Sequence, residues 1–140
     1  CDSIYCADQI IQDLFPQFAH HGRSALRANK FEMYQACAKN HLKVPEQVLV
    51  NSQSFENQTY LAGKIKEKIE SMLPVVVKPN QSAGSIGVSC CETIEQVEFA
   101  IQSILGSNQV TGKINDVLVQ EKIVGTEYFV DTVSLDGKHY

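Results

Sequence analysis

The stretch VVVKPNQSAGSIGV, Val75 to Val88, decides how the chain is read. A wholly apolar run ends on Lys78 and Pro79. A loop of small polar residues and two glycines follows, and the chain turns apolar again at Ile86. A cation at the end of a buried strand is costly unless its charge is used. Small residues after it let backbone N–H groups come close to a ligand. Successive N–H groups and one ammonium suit a chain of phosphate oxygens. The same composition also fits a tight hairpin whose lysine snorkels to water. Composition alone leaves both readings open. A Walker loop needs Gly-Lys-Ser/Thr opening a helix, and none is present. Gly84-Ser85-Ile86-Gly87 is not G-x-G-x-x-G, and strand-like residues follow it where a dinucleotide site needs a helix.

Outward from this stretch, hydrophobic spacing predicts the flanking elements. Residues 3 to 15 read as a helix, with Ile4, Ala7, Ile10, Ile11, Leu14 and Phe15 on one face, Ser3 as cap and Pro16 as stop. The loop QFAHHGRSALRA leads to a helix from Asn29 to Asn40, with Asn29 as cap and a stripe of Phe31, Tyr34 and Ala38. EQVLVN reads as a short strand. A helix from Ser52 or Ser54 to Met72 turns Leu61, Ala62, Ile65, Ile69 and Met72 inward, and its outer run KIKEKIE reads as a solvated face. After strand VVVK and a strand from Gly87 to Cys91, Thr93 and Gln96 form a capping box. Ile94, Val97, Ala100, Ile101 and Ile104 line one side of the helix that follows, and Gly106 stands where a C-cap glycine belongs. A polar loop, GSNQVTGKIND, precedes VLVQEKI and TEYFVDTVSL, read as two strands broken at Val124-Gly125. Consecutive late strands argue for an α+β fold: a mostly antiparallel sheet with helices on one face, preceded by linking helices.

The chain has 140 residues, 44 % of them apolar, enough for a domain core. Its net charge of -4 gives no basic field for nucleic acid. No apolar run approaches the roughly 20 residues of a membrane span, and CDSIYCADQ does not read as a signal peptide. The five cysteines fit no zinc spacing, and adjacent Cys90 and Cys91 do not easily bridge, so free thiols in a reducing cytoplasm are expected. His20 and His21 lack a third ligand type nearby, so no metal site is expected from them. The chain begins on Cys1, and Asp136-Gly137 is a hairpin turn signal followed by three residues only. A piece of a longer protein is the expectation.

Glu121 and Glu127 lie on either side of the Val124-Gly125 break in VLVQEKIVGTEYFVD. Extended backbone there can offer C=O and N–H to the edge of a flat heterocycle. A carboxylate just beyond can accept from two vicinal hydroxyls. Taken alone, two glutamates on strands are usually surface residues.

Together, the Lys-Pro, the Ser/Gly loop, a strand, a helix and the V-Q-E-K, hinge, G-x-E strand pair resemble the ATP-grasp family, over about residues 26 to 140. KPNQSAGSIGV and VLVQEKIVGTEYFVDTVSLDGKHY are most similar to its carboxylate–amine ligases that join amino acids. D-alanine–D-alanine ligase resembles the chain more distantly. The resemblance implies residues 1–28 as linker and helix of a preceding domain, and 29–140 as a truncated nucleotide-binding lobe. It implies ATP as cofactor, with Lys78 on the α and β phosphates. Ser82 to Gly87 would close over the phosphates, with Ser85 as donor and Gly87 in the loop. Glu121 and the Lys122 to Val124 backbone would hold the adenine edge, Glu127 the ribose, and Lys30 would be a second nucleotide-contacting lysine. Lys78, Glu121 and Glu127 are expected around one cleft. The substrates implied are a small carboxylate and an amine, both amino acids, joined through an acyl phosphate. Mg²⁺ ligands and the catalytic arginine are expected beyond this chain, so Glu92, Asp131, Asp136, Arg23 and Arg27 receive no role. A regulatory, non-catalytic nucleotide-binding module is the alternative.

Overall fold

A computed structural model describes residues 2–17, 24–52, 61, 63–82, 84–105, 107–109, 112–131, 133–135 and 138–139. Its frame is a four-stranded antiparallel sheet of β1 (Gln47–Asn51), β2 (Val75–Pro79), β3 (Ser89–Cys91) and β6 (Asp116–Glu121), in the order β1-β6-β2-β3. Alternation gives the sheet two different faces. Val50, Val75, Val77, Val117 and Val119 meet α4 (Gly63–Met72) and α5 (Ile94–Leu105) in the main core. The stripe expected on α5 is the stripe found: Ile94, Val97, Ala100, Ile101 and Ile104 are all buried. The register puts Leu49, Val76, Lys78, Leu118 and Gln120 on the opposite face, where Leu118 and Gln120 are also buried.

The start of α5 is capped with a shift from the expected pattern. Thr93 Oγ1 accepts from Gln96 N–H at 3.4 Å, but Gln96 Oε1 accepts from Glu92 N–H, at 2.8 Å, one residue before the cap. Asn29 caps α3 (Lys30–Lys39) as expected, accepting from Glu32 N–H at 3.0 Å.

Several expectations need correction. Helix α1 (Asp2–Leu14) starts before Ser3, so Ser3 is not its cap. Ile10, Leu14 and Phe15 on its apolar face are exposed; α1 is tied instead to α2 (Ser24–Ala28) by the Arg27–Asp8 ion pair. Helix α2 stands where only a loop was expected. Residues Phe31, Tyr34 and Ala38 do not bury a stripe, and α3 has no buried residue. Helix α4 begins at Gly63 with φ +47°, after the non-helical Leu61, and not at Ser52 or Ser54 as one continuous helix; residues 53–60 and Ala62 lie outside the described residues. The polar loop after α5 contains a small ladder, β4 (Asn108–Gln109) with β5 (Gly112–Lys113).

The largest difference is at TEYFVDTVSL. Thr126 to Asp131 is not a strand; only β7 (Ser134–Leu135) is, paired with β8 (Lys138–His139), while the expected Asp136-Gly137 turn lies outside the described residues. The alternating pattern is present, but a strand needs a partner edge, and none is offered to 126–131 among the described residues. Ile123, Val124, Tyr128, Phe129, Val130 and Val133 are therefore exposed, Phe129 to 91 %. Among the described residues no helix is long and apolar enough to cross a membrane, and Cys6, Cys37, Cys90 and Cys91 are free thiols. Cys1 lies outside the described residues.

Candidate functional site

The site forms where the far end of β2 meets the start of α3. Asn80, just past β2 and 1 % exposed, makes the junction. Its N–H donates to Asp116 O at 3.0 Å, and its C=O accepts from Lys30 N–H at 3.2 Å. Its Oδ1 accepts from Phe31 N–H at 3.0 Å. The N–H groups of the first helical turn have no partner within the helix, so a side-chain acceptor placed there docks α3 by its tip. This explains how α3 is positioned without a buried stripe.

The docked tip brings Lys30 over the loop. Its Nζ donates to Ser82 O at 2.8 Å, and lies 3.4 Å from Pro79 O, Asn80 O and Ser82 Oγ. Lys78 Nζ donates to Gln120 Oε1 at 2.6 Å. Both ammonium groups are half-buried, and their partners are neutral oxygens. Among the described residues neither lysine forms an ion pair; the pairs there are Arg27–Asp8 and Lys68–Glu46. Burial lowers the pKa of Lys30 from 10.5. Burial, and then the charge of Lys30, lowers that of Lys78. Two neighbouring cations whose charge no carboxylate cancels make a place for an anion.

The loop after Asn80 is shaped by backbone conformation. Gly84, Ser85 and Gly87 have φ of +66°, +58° and +73°. Gly87 also has little room for a side chain, since a Cβ would stand 3.1 Å from Pro79 Cγ. The turn thus folds back on the end of β2 and leaves Ser85 and Gly87 exposed.

The structure brings together Lys30, Lys78 and Ser82 among the expected residues. It does not bring Glu121 or Glu127 to them. Glu121 is paired with Val75, three positions from Lys78, so the two side chains leave the sheet on opposite faces. Glu121 N–H donates to Glu46 O at 2.9 Å, and Lys122 N–H donates to Pro74 O at 3.0 Å. Val124 and Glu127 lie in the exposed chain beyond. The expected single cleft of Lys78, Glu121 and Glu127 is not closed by the described residues. Sequence reasoning missed Asn80 and Gln120. The signal for Gln120 was there: it is the one polar residue in VLVQ, and it stands on the strand face of Leu118.

The pKa directions carry a pH dependence. Between the folded and unfolded pKa values of each lysine, the unfolded chain holds more protons, so stability rises as pH climbs through that window. Anion binding runs the other way, because it needs the ammonium form. Affinity for tripolyphosphate is therefore expected to fall with rising pH before the ordinary lysine value of 10.5 is reached. Isothermal titrations from pH 7 to pH 10 check this; a flat profile over that range would contradict it.

No group of three or more His, Cys, Asp or Glu among the described residues is placed to hold a metal ion. The two lysines and the small-residue loop fit a polyphosphate.

Residues 71–139 match the family described as ATP-grasp domain. Dapdiamide A synthase from Enterobacter agglomerans is 34 % identical over 118 residues, which are 84 % of this chain and 26 % of that protein. A D-alanine–D-alanine ligase from Fervidobacterium nodosum is 31 % identical over 110 residues, 78 % of this chain and 31 % of that protein. In fold, D-alanyl-alanine synthetase A from Vibrio cholerae superposes with a TM-score of 0.62 at 19 % identity, over 84 % of this chain and 33 % of that one. The chain thus spans 26 % and 31 % of the length of the two curated relatives. The match to the ATP-grasp domain family thus takes in the lysine-bearing strand β2 and the glycine loop that follows it.

Proposed function

We propose that this chain is the nucleotide-binding part of an ATP-dependent carboxylate–amine ligase that joins amino acids through an acyl phosphate. The observation that carries the proposal is the half-buried pair Lys30 and Lys78, held by neutral oxygens only. Residues 29–140 form the nucleotide lobe, and 1–28 link it to a preceding domain. Lys78, Lys30, Ser82 and the exposed turn at Ser85 and Gly87 take the phosphates. Glu121 and the backbone from Lys122 to Val124 meet the adenine edge, and Glu127 the ribose. For that, the chain beyond Glu121 must curve past the end of the sheet, and its non-strand course from Lys122 to Asp131 leaves it free to do so. The exposed apolar run from Ile123 to Val133 fits a second lobe of the parent protein, which would also supply the magnesium ligands and the catalytic arginine. A cytoplasmic setting suits the free thiols.

Within this chain the chemistry is positional. Transfer of a γ-phosphoryl group to a carboxylate needs the phosphates fixed and their charge neutralised. The two lysines and the turn amides do that here.

Thermal-shift and calorimetric titration of the protein carrying this chain with MgATP test the reading. A rise in Tm and saturable binding are expected; at 100 times Kd the stabilisation is about 2.7 kcal/mol. Absence of both sinks the proposal. Release of ADP that requires two amino acids separates a ligase from a regulatory nucleotide-binding module.

A further inference from the structure

Helix α3 buries no residue, so it is not anchored by a core. Its first turn is tied instead to the chain just past β2. Lys30 N–H donates to Asn80 O at 3.2 Å, Phe31 N–H to Asn80 Oδ1 at 3.0 Å, and Lys30 Nζ to Ser82 O at 2.8 Å. The two bonds to Asn80 take the N–H on either side of the Lys30 Cα. Peptide units are planar, so the planes that flank Lys30 are both held by one residue, through its backbone on one side and its side chain on the other. The direction in which the Lys30 side chain leaves the helix is thereby set.

Asn80 is itself fixed. It is 1 % exposed, and its N–H donates to Asp116 O at 3.0 Å, at the start of β6. Its side-chain amide is used at one end only. Oδ1 accepts from Phe31 N–H, while Nδ2 is buried without a partner among the described residues. A backbone N–H can meet only the carbonyl oxygen of an amide, so the two ends are not interchangeable here. Most buried polar groups in folded proteins are paired, and leaving a donor unpaired costs stability. The side chain stands at this position for what its oxygen does.

We propose that Asn80 is a positioning residue: by holding the peptide planes on both sides of Lys30, it aims the Lys30 ammonium at a polyphosphate bound past the end of β2. It acts through Lys30 and not on the ligand. This rests on the reading of Lys30 as a phosphate-binding lysine. In Asn80→Ala the acceptor for Phe31 N–H is lost, while the backbone bond to Lys30 N–H is kept. The tip of α3 then hangs on one bond where it had two, and the ammonium spends less time over the ligand. Once Lys30 has no ammonium, the same substitution has nothing left to misdirect.

The experiment is a double-mutant cycle in the protein carrying this chain, with Asn80→Ala, Lys30→Met and the two combined. Each is titrated by calorimetry with inorganic tripolyphosphate, ATP and adenosine. Lys30→Met is expected to lose about tenfold on the two polyphosphates. Asn80→Ala is expected to lose about fivefold on them and to keep its adenosine affinity. Added to Lys30→Met, Asn80→Ala is expected to cost less than about twofold more. A loss larger than twofold that disappears in the Lys30→Met background supports the proposal. Tripolyphosphate binding by Asn80→Ala, or by Lys30→Met, within twofold of the unmodified protein overturns it. So does the same fold loss from Asn80→Ala in both backgrounds, which means that Asn80 acts without Lys30. An equal loss on adenosine overturns it as well, being the mark of a general packing role. Should Asn80→Ala fail to fold, Asn80→Ser, whose oxygen is one bond closer to the backbone, takes its place in the cycle under the same criteria. Binding of tripolyphosphate but not ATP by the unmodified protein removes the nucleotide reading and leaves the role of Asn80 standing. Binding of neither removes both.

Discussion

Lys78→Met is expected to weaken ATP binding about 100-fold and to leave the fold in place. Hydrogen bonds to charged groups contribute roughly 1.5–3 kcal/mol each, and a tenfold change in affinity is about 1.4 kcal/mol. If Lys78 meets the α and β phosphates as proposed, loss of its ammonium removes about two powers of ten. Stability moves little because two effects oppose. Methionine keeps the buried alkyl stem and removes a half-buried charge that burial already disfavours. It also leaves Gln120 Oε1 without its donor. The net change is expected within about 1 kcal/mol. Calorimetry with ATP and a thermal melt of the same sample check both halves. A folded variant that binds ATP as tightly as the unmodified protein would place the phosphates away from this face of the sheet.

The second large effect is on stability. Ile101→Ala is expected to cost about 3–4 kcal/mol, in the range measured for truncating buried isoleucine. Ile101 is 0 % exposed and lies in the core between α5 and the sheet. The neighbouring strands carry β-branched valines on that face, with little freedom to swing into a hole. For a domain stable by roughly 5–15 kcal/mol that is a large share, and Tm falls by about 10 °C. Phe99, two residues earlier on the same helix and 72 % exposed, is the control. Phe99→Ala should change stability by about 0.5 kcal/mol or less. Urea melts of the two variants distinguish them; equal losses would mean that the exposed side of α5 is packed against something.

What was legible in the sequence follows from the range of the forces involved. The α5 stripe and the Asn29 cap depend on neighbours three or four residues away, and both were read correctly. The antiparallel character of the sheet followed from consecutive late strands and holds. The strand proposed for Thr126 to Leu135 did not hold, because alternation signals a face to bury but cannot supply the edge that a strand needs. The same limit applies to the site. Lys78 and Glu121 were expected to converge, yet which face each occupies depends on register between strands separated by the whole of α5, and no local pattern encodes it. Lys30 and Lys78 could be picked out one by one. That Asn80 docks α3 and so carries Lys30 to Ser82 is a three-dimensional fact, visible only once β2 and α3 are placed.

The strand order has a consequence for how the chain is made. β6 lies in the middle of the sheet, between β1 and β2, yet it is the last of the four strands in sequence. A ribosome therefore delivers both of its neighbours before the strand that joins them. Until Glu121 has left the exit tunnel, β2 can pair only with β3, and β1 has no partner in this sheet. Closure waits for contacts that are distant along the chain, the kind that slow folding. During that wait the valines of β1 and β2 stand open to chaperones, or to other nascent chains.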